Sequence, residues 1–156
     1  MGLYKGNSKG LVFVICFRIA HFFTKNKVLY IIGCPVWIFY RFFFNWILGI
    51  DIHEKTKIGK NFVLWHGMGL VVNPNTVIGN NVTLRNNTTI GNAAHGGKCP
   101  VLCDGVSVGP NSVIIGDITL GENSIIGAGS VVVNDVKPNT IVAGNPAKLI
   151  RTRNKE

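Results

Sequence analysis

The sequence predicts a mainly β protein, a parallel β-helix built from six-residue units and preceded by a short α-helical segment. Three observations carry that prediction. An aliphatic residue recurs at every sixth position from Ile52 onward. Gly, Asn or Asp stands at a fixed place between the aliphatics, and the composition changes sharply near residue 50.

At 156 residues the chain has room for one domain and a small N-terminal annex. That annex is residues 1–49. Thirteen of the fifteen aromatic residues fall within the first fifty positions, and all seven acidic residues fall at or after Asp51. Lys5, Lys9, Arg18, Lys25, Lys27 and Arg41 therefore supply +6 of the net +9. A basic, aromatic-rich and acid-free stretch suits an anionic membrane surface or an acidic partner. Nucleic acid is the poorer match, because the aromatics sit in dense apolar runs rather than between Lys and Arg.

No uncharged run in this segment reaches the roughly 18–20 apolar residues of a helical membrane span. The longest, 28–40, holds Gly33 and Pro35, and nothing after it resembles a signal-peptide cleavage site. The spacing predicts helices around 10–23 and 28–47. Two roles stay open for them, lying in a membrane interface or forming an oligomer contact. Cys16, Cys34, Cys99 and Cys103 show neither a CxxC pair nor a zinc-ligand pattern, so free thiols in a reducing cytoplasm are expected and no metal site is.

Residues 50–137 carry the repeat. Its aliphatics are Ile52, Ile58 and Leu64; then Val72, Ile78, Leu84 and Ile90; then Leu102, Val108, Ile114, Leu120, Ile126 and Val132. A small or β-branched residue follows four places later in many units, as at Thr56, Thr76, Thr88, Ser112, Ser124 and Ser130. One place before that second site stand Asn61, Asn75, Asn81, Asn87, Gly105, Asn111, Asp117, Asn123 and Gly129. These residue types accept positive φ at least cost. A kink every six residues turns a strand into a triangular coil, three units per turn, with strands stacked about 4.8 Å apart.

Two breaks interrupt the phase. Two extra residues enter between Leu64 and Val72, around His66-Gly67-Met68-Gly69. Between Ile90 and Leu102 one unit lacks its aliphatic, so Asn92–Pro100 is expected to leave the coil as a loop. Irregular segments on a rigid solenoid are where binding and catalytic groups are usually placed. A tail of residues 138–156 follows, with Lys148, Arg151, Arg153 and Lys155.

The repeat resembles that of the hexapeptide-repeat acyltransferases, whose parallel β-helix is left-handed. The resemblance sharpens at Asp51-Ile-His-Glu-Lys-Thr-Lys-Ile-Gly-Lys and at Leu64-Trp-His-Gly-Met-Gly, which look like the Asp-Ile-His-Pro and Leu-Asp-His-Ala-Thr-Gly stretches of serine acetyltransferases. It implies that Asp51 and His66 are the catalytic pair, His66 as general base and Asp51 as the carboxylate that orients it. His95, on the extended loop, is the rival base. Gly127-Ala-Gly-Ser and Val142-Ala-Gly-Asn-Pro-Ala-Lys-Leu-Ile-Arg resemble the family's acetyl-CoA end. Gly91, Gly109, Gly127, Ala128, Lys148 and Arg151 are then the expected cofactor contacts, in a homotrimer with the cofactor between subunits.

The departures bear on the acceptor. Trp65 stands where serine acetyltransferases carry an Asp, and Lys98-Cys99-Pro100 stands where they carry Arg-His-Pro. Before the repeat, where those enzymes carry a long acidic helical domain, this sequence has about fifty basic, aromatic residues. These differences point to the branch that acetylates sugars of surface polysaccharides, with Trp65, His95, Lys98 and Cys99 near the acceptor. The implied protein is cytoplasmic or peripheral on the inner membrane face. Serine O-acetylation and an inactive scaffold are the rival readings. The zinc carbonic-anhydrase use of this fold is disfavoured, because His53, His66 and His95 lack that family's paired spacing.

Overall fold

Six-residue units translate into strands of two to five residues that close a three-sided prism. The computed structural model describes residues 6–153. The first face stacks β1 (Ile50–Ile52), β4 (Leu70–Val72), β7 (Thr89–Gly91), β10 (Val113–Ile115) and β13 (Val131–Val132). The second stacks β2 (Lys57–Ile58), β5 (Val77–Ile78), β8 (Val101–Leu102) and β11 (Thr119–Leu120). The third stacks β3 (Val63–Trp65), β6 (Thr83–Arg85), β9 (Ser107–Val108) and β12 (Ile125–Ile126). β14 (Thr140–Gly144) continues that face in parallel, and β15 (Ala147–Thr152) folds back antiparallel on it.

Register follows the repeat, with like on like: Ile52 lies against Val72, Ile58 against Ile78 and Leu64 against Leu84. These aliphatics form the inner column and are all buried. So is the second inward site, polar at Thr56, Thr76, Thr88, Ser112, Ser124 and Ser130 and apolar at Phe62, Val82, Val106, Ile118 and Val136. Ser112 and Ser130 turn their hydroxyls back to the corner carbonyls of Gly109 and Gly127, at 2.9 and 2.6 Å. Several corners take the expected left-handed backbone, at Asn61, Asn81, Asn87, Asn111 and Asn123. Asn61 donates to Asn81 and Asn87 to Asn111, each at 3.0 Å, so the corner amides also link coil to coil.

Two corners differ from expectation. Asn75 and Asp117 do not adopt positive φ. At the first, the Asn73 side chain accepts from the Asn75 N–H and makes the turn itself. At the second the kink falls one residue earlier, on Gly116 at φ 109°.

The N-terminal segment packs against the first coil. α1 (Ser8–Phe22) begins at Asn7, whose side chain accepts from Gly10 N–H while its amide donates to the Leu64 carbonyl at 2.7 Å. One residue thus caps the helix and ties it to β3. Any side chain at position 10 would overlap the Leu64 carbonyl. Arg18 grips the carbonyls of Ile58 and Gly59, and Phe13, Phe17 and Ala20 face inward. The second expected helix is divided. α2 (Lys27–Ile32) stops at Gly33, α3 (Cys34–Tyr40) restarts with Pro35 in its first turn, and Arg41–Ile47 continues as a π-helical turn. Pro35 has no N–H to carry one helix through, and position 33 has no room for a side chain beside the Phe23 ring.

Glu54 locks the helices to the coil. Its carboxylate is fully buried and accepts from Arg41 at 3.0 and 2.7 Å and from the Tyr30 hydroxyl at 3.2 Å. Trp37 stacks on Tyr30 with 5.0 Å between centroids, and the Arg41 guanidinium lies over Trp37 at 4.8 Å. The Glu54 carbonyl accepts from His21 Nδ1 at 2.7 Å, so His21 has a packing role. Burial is the largest influence and would by itself raise the Glu54 pKa, but the Arg41 hydrogen bonds, a backbone hydrogen bond and the neighbouring His53 and Arg41 charges together outweigh it and leave the group below its ordinary 4.5. Because the folded value is the lower one, the stabilisation is present above the ordinary glutamate range and is lost as pH falls through the folded value. Removing one partner strands the other. Arg41→Ala is expected to cost about 3 kcal/mol in urea unfolding at pH 7, with the difference from wild type shrinking below pH 4.5.

Candidate active site

The three-sided coil sorts the candidate residues by edge. Chain leaving the third face for the first turns a corner after β3, β6, β9 and β12, and these corners stack into one edge. That edge carries His66 at its start and, further along, Gly109 and then Gly127-Ala128. Gly109 approaches the next coil so closely that a Cβ would sit 2.6 Å from Ala128 N, and one on Gly127 would sit 2.7 Å from the Ala143 Cβ. Coil-to-coil contact therefore accounts for these two glycines. Lys148 pairs opposite Ala143 on the closing hairpin and is exposed, as is Arg151.

The edge between first and second faces carries the other candidates. Gly91 ends β7 there, where an added Cβ would make an ordinary van der Waals contact, 3.5 Å from the Asn73 Cβ. The expected loop leaves the coil from this edge. His95 is exposed on it, Lys98 pairs with Asp117 at 2.9 Å, and Cys99 is buried. Asn75, Gly96, Gly97, Lys98 and Cys99 line a shallow cavity of about 380 Å³. Asp117 draws the exposed Lys98 pKa upward. One chain thus places His66 and His95 on opposite edges of the first face and does not bring them together.

His66 sits in the first phase break, where the two extra residues make a local bulge of the corner. Its own φ is 64°, followed by 46° at Gly67 and 70° at Gly69. Gly69 N–H donates to the Gly49 carbonyl at 2.9 Å, which seats this turn on the chain entering β1. Asp51, the exposed middle residue of β1, lies beside Val71 of β4. Asp51 thus pairs with the strand that follows the His66 corner, and the two side chains form no ion pair within 4.0 Å. The Asp51 carboxylate instead accepts from the Asn45 amide at 2.9 Å. The Asn45 side-chain oxygen, Oδ1, is buried with no hydrogen-bond partner. His53 faces Arg41, with Nε2 2.8 Å from the guanidinium, and its pKa is lowered by burial and by the charges of Arg41 and Lys55. It belongs to the Glu54 cluster.

Sequence reasoning missed Asn45, which lies in a run of aromatics with nothing to mark it. It also missed a cleft of about 380 Å³ between the first turns of α1, the π-helical turn and the His66 corner. Val12, Phe43, Leu48, Ile50, His66 and Met68 are among its walls. Trp65 flanks the corner, half-buried, with its ring 6.2 Å from the His66 ring. Among the described residues no three His, Cys, Asp or Glu side chains converge on a metal site, and no helix is long and apolar enough to cross a membrane.

Comparisons with known proteins agree with this architecture. Residues 99–134 match the family described as "Bacterial transferase hexapeptide (six repeats)". The chain is 38% identical over 141 residues to the "Putative colanic acid biosynthesis acetyltransferase WcaB" of Escherichia coli strain K12, covering 87% of each. It is also similar to soybean serine acetyltransferase complexed with serine, with a TM-score of 0.79, 35% identity and 92% of this chain covered. For serine acetyltransferase from Brucella abortus strain S19 the TM-score is 0.80 at 31% identity. The chain spans 58% and 59% of the length of those two structures.

The backbone at His66 gives a test of the corner. A left-handed φ costs an L-residue with a Cβ roughly 1–2 kcal/mol and glycine almost nothing, against about 0.5–1 kcal/mol for glycine's extra freedom when unfolded. His66→Gly is expected to be more stable than His66→Ala, by up to about 1 kcal/mol in urea unfolding. Equal stability of the two would mean that the corner relaxes out of this conformation.

Proposed function

The chain belongs to the hexapeptide-repeat acetyltransferases, the family of the serine acetyltransferases, and from that premise we propose that it transfers an acetyl group from acetyl-CoA to a hydroxyl of a surface-polysaccharide precursor. Family membership makes the chain an acetyltransferase and implies acetyl-CoA as donor. The observation that carries the finer reading is the single edge holding His66 together with the Gly127-Ala128 stretch, in a chain alignable over 87% of its length with WcaB.

In this reading the neutral His66 imidazole takes the proton of the acceptor hydroxyl. The oxygen attacks the thioester carbonyl, the C–S bond breaks, and the imidazolium returns its proton to the leaving CoA thiolate. Asp51 orients and stabilises the imidazolium, a task that requires its carboxylate to exchange Asn45 for His66. The cofactor lies along the same edge, its phosphates toward Lys148 and Arg151. The loop with His95, Lys98 and Cys99 sits on the opposite edge of the first face, so a neighbouring copy is the source of the second wall. A homotrimer sets one chain's loop against the next chain's His66 edge, with Gly91 facing the cofactor from that side. Trp65 and the loop then contact the acceptor. The expected setting is the cytoplasmic face of the membrane, where such precursors are assembled.

Serine is the second acceptor reading, favoured by the serine acetyltransferase structures. Trp65 and Cys99 weigh against it. An amino acid needs a carboxylate for its ammonium and a basic fork for its carboxylate, and neither of these residues supplies one.

His66→Ala is expected to lower kcat for acetyl transfer by on the order of 10²–10⁴ with little change in acetyl-CoA affinity. Asp51→Asn should lower it less, since it disturbs orientation and leaves the base in place. Loss of turnover in His95→Ala with an active His66→Ala would move the base to the loop. Light scattering is expected to give about 51 kDa, three copies of 17.0 kDa. An active monomer would remove the shared site.

A further inference from the structure

The cleft beside His66 is poorly suited to a bare sugar. Val12, Phe43, Phe44, Leu48 and Met68 offer it hydrocarbon, while only Ser8, Lys9 and His66 bring polar side chains. A buried saccharide leaves costly unpaired hydroxyls unless donors and acceptors surround it, and a nucleotide diphosphate calls for several cationic or N–H groups. A volume of about 380 Å³ lies in the range of small-molecule sites, and walls of this kind favour an apolar chain.

The cleft does not end at its rim. Val12 is half exposed and is the first residue of a stripe on α1 that runs through Ile15, Ile19 and Phe22, each also about half exposed. Steps of three and four residues place these side chains on one helix face, away from the inward-facing Phe13, Phe17 and Ala20. Lys9 is exposed beside the cleft end of this track. At the other end Lys25 lies over the Phe22 ring at 4.6 Å, and exposed Lys27 opens α2. No acidic residue occurs before Asp51. An apolar track bordered by lysines and free of acid complements an anionic lipid layer. A second copy of the chain would bring the same positive charge against itself.

We infer that the acceptor saccharide is borne on a lipid through a phosphate. The lipid chain next to the phosphate lies in the cleft and along α1, Lys9 meets the phosphate, and the sugar hydroxyl is held out to His66. This deepens, and rests on, the reading of His66 as the base for O-acetyl transfer.

The test uses the full chain and two readouts. In calorimetry, farnesyl phosphate is expected to bind saturably and inorganic phosphate not at all. The double variant Val12→Ser/Met68→Ser, at two exposed positions, should weaken farnesyl phosphate binding at least tenfold. In the transfer assay, each sugar of a panel is offered as its methyl and its dodecyl glycoside below micelle concentration. For the sugar accepted, the dodecyl form is expected to have a KM at least tenfold lower, and the double variant should bring the two close together. Acetylation with equal KM for both forms overturns the lipid-borne acceptor and leaves O-acetyl transfer standing. Failure of farnesyl phosphate to bind, as when another copy covers the track, or binding unchanged in the double variant, overturns it too. If no sugar is acetylated in either form, the polysaccharide reading fails and calorimetry alone decides the cleft.

Discussion

The fold depends on one steric requirement, that every sixth side chain must fill a shared column only one residue wide on each face. An aliphatic at Ile52, Val72, Ile90, Ile114 or Val132 satisfies its own strand and also forms the floor or ceiling for the residue one coil away. Because each coil touches only its neighbours, tolerance for error within a coil is low, while tolerance for what projects outside it is high. The corners inherit the same requirement. Asn61 and Asn81 turn the chain and then hydrogen-bond to each other. Extra residues are accommodated only by leaving the prism, and the two places where that happens carry His66 and His95.

This division explains which parts of the molecule were legible in the sequence. A period of six is a property of the covalent chain, so the β-helix and both phase breaks could be read directly. Corner details were legible only in part, because a turn has more than one solution. Asn73 makes at Asn75 the turn that left-handed backbone makes elsewhere, and Gly116 takes the kink expected at Asp117. The helices were visible as apolar runs, but their packing was not. The Glu54–Arg41–Tyr30 cluster joins residues up to 24 apart through a buried carboxylate, and a single glutamate in a repeat gives no sign of it. The contact between Asn45 and Asp51 was equally silent.

The locked helices matter to the site because they form part of it. The π-helical turn supplies Asn45 to Asp51 and Phe43 and Leu48 to the cleft, while the start of α1 supplies Lys9 and Val12. A segment that composition marks only as basic and aromatic is thus positioned by polar anchors, among them Glu54 with Arg41, Asn7 with Leu64, and Arg18 with the carbonyls of Ile58 and Gly59. A substitution that loosens the anchors therefore also reshapes the space beside His66, and in the proposed site this couples helix docking to the choice of acceptor.

The stacking of corners along one edge has a metric consequence. Three strand steps separate β3, which leads into His66, from β12, which leads into Gly127, and each step is about 4.8 Å. The prism is therefore a ruler. In the proposed site the reach from the base to the far end of the cofactor is set by counting coils, roughly 14 Å for three steps, and not by the placement of any one side chain. Such a ruler lengthens or shortens only in whole divisions. Point substitutions can retune what the acceptor meets at the first coil while the span to the cofactor's far end stays fixed, which leaves acceptor preference free to diverge without altering the donor.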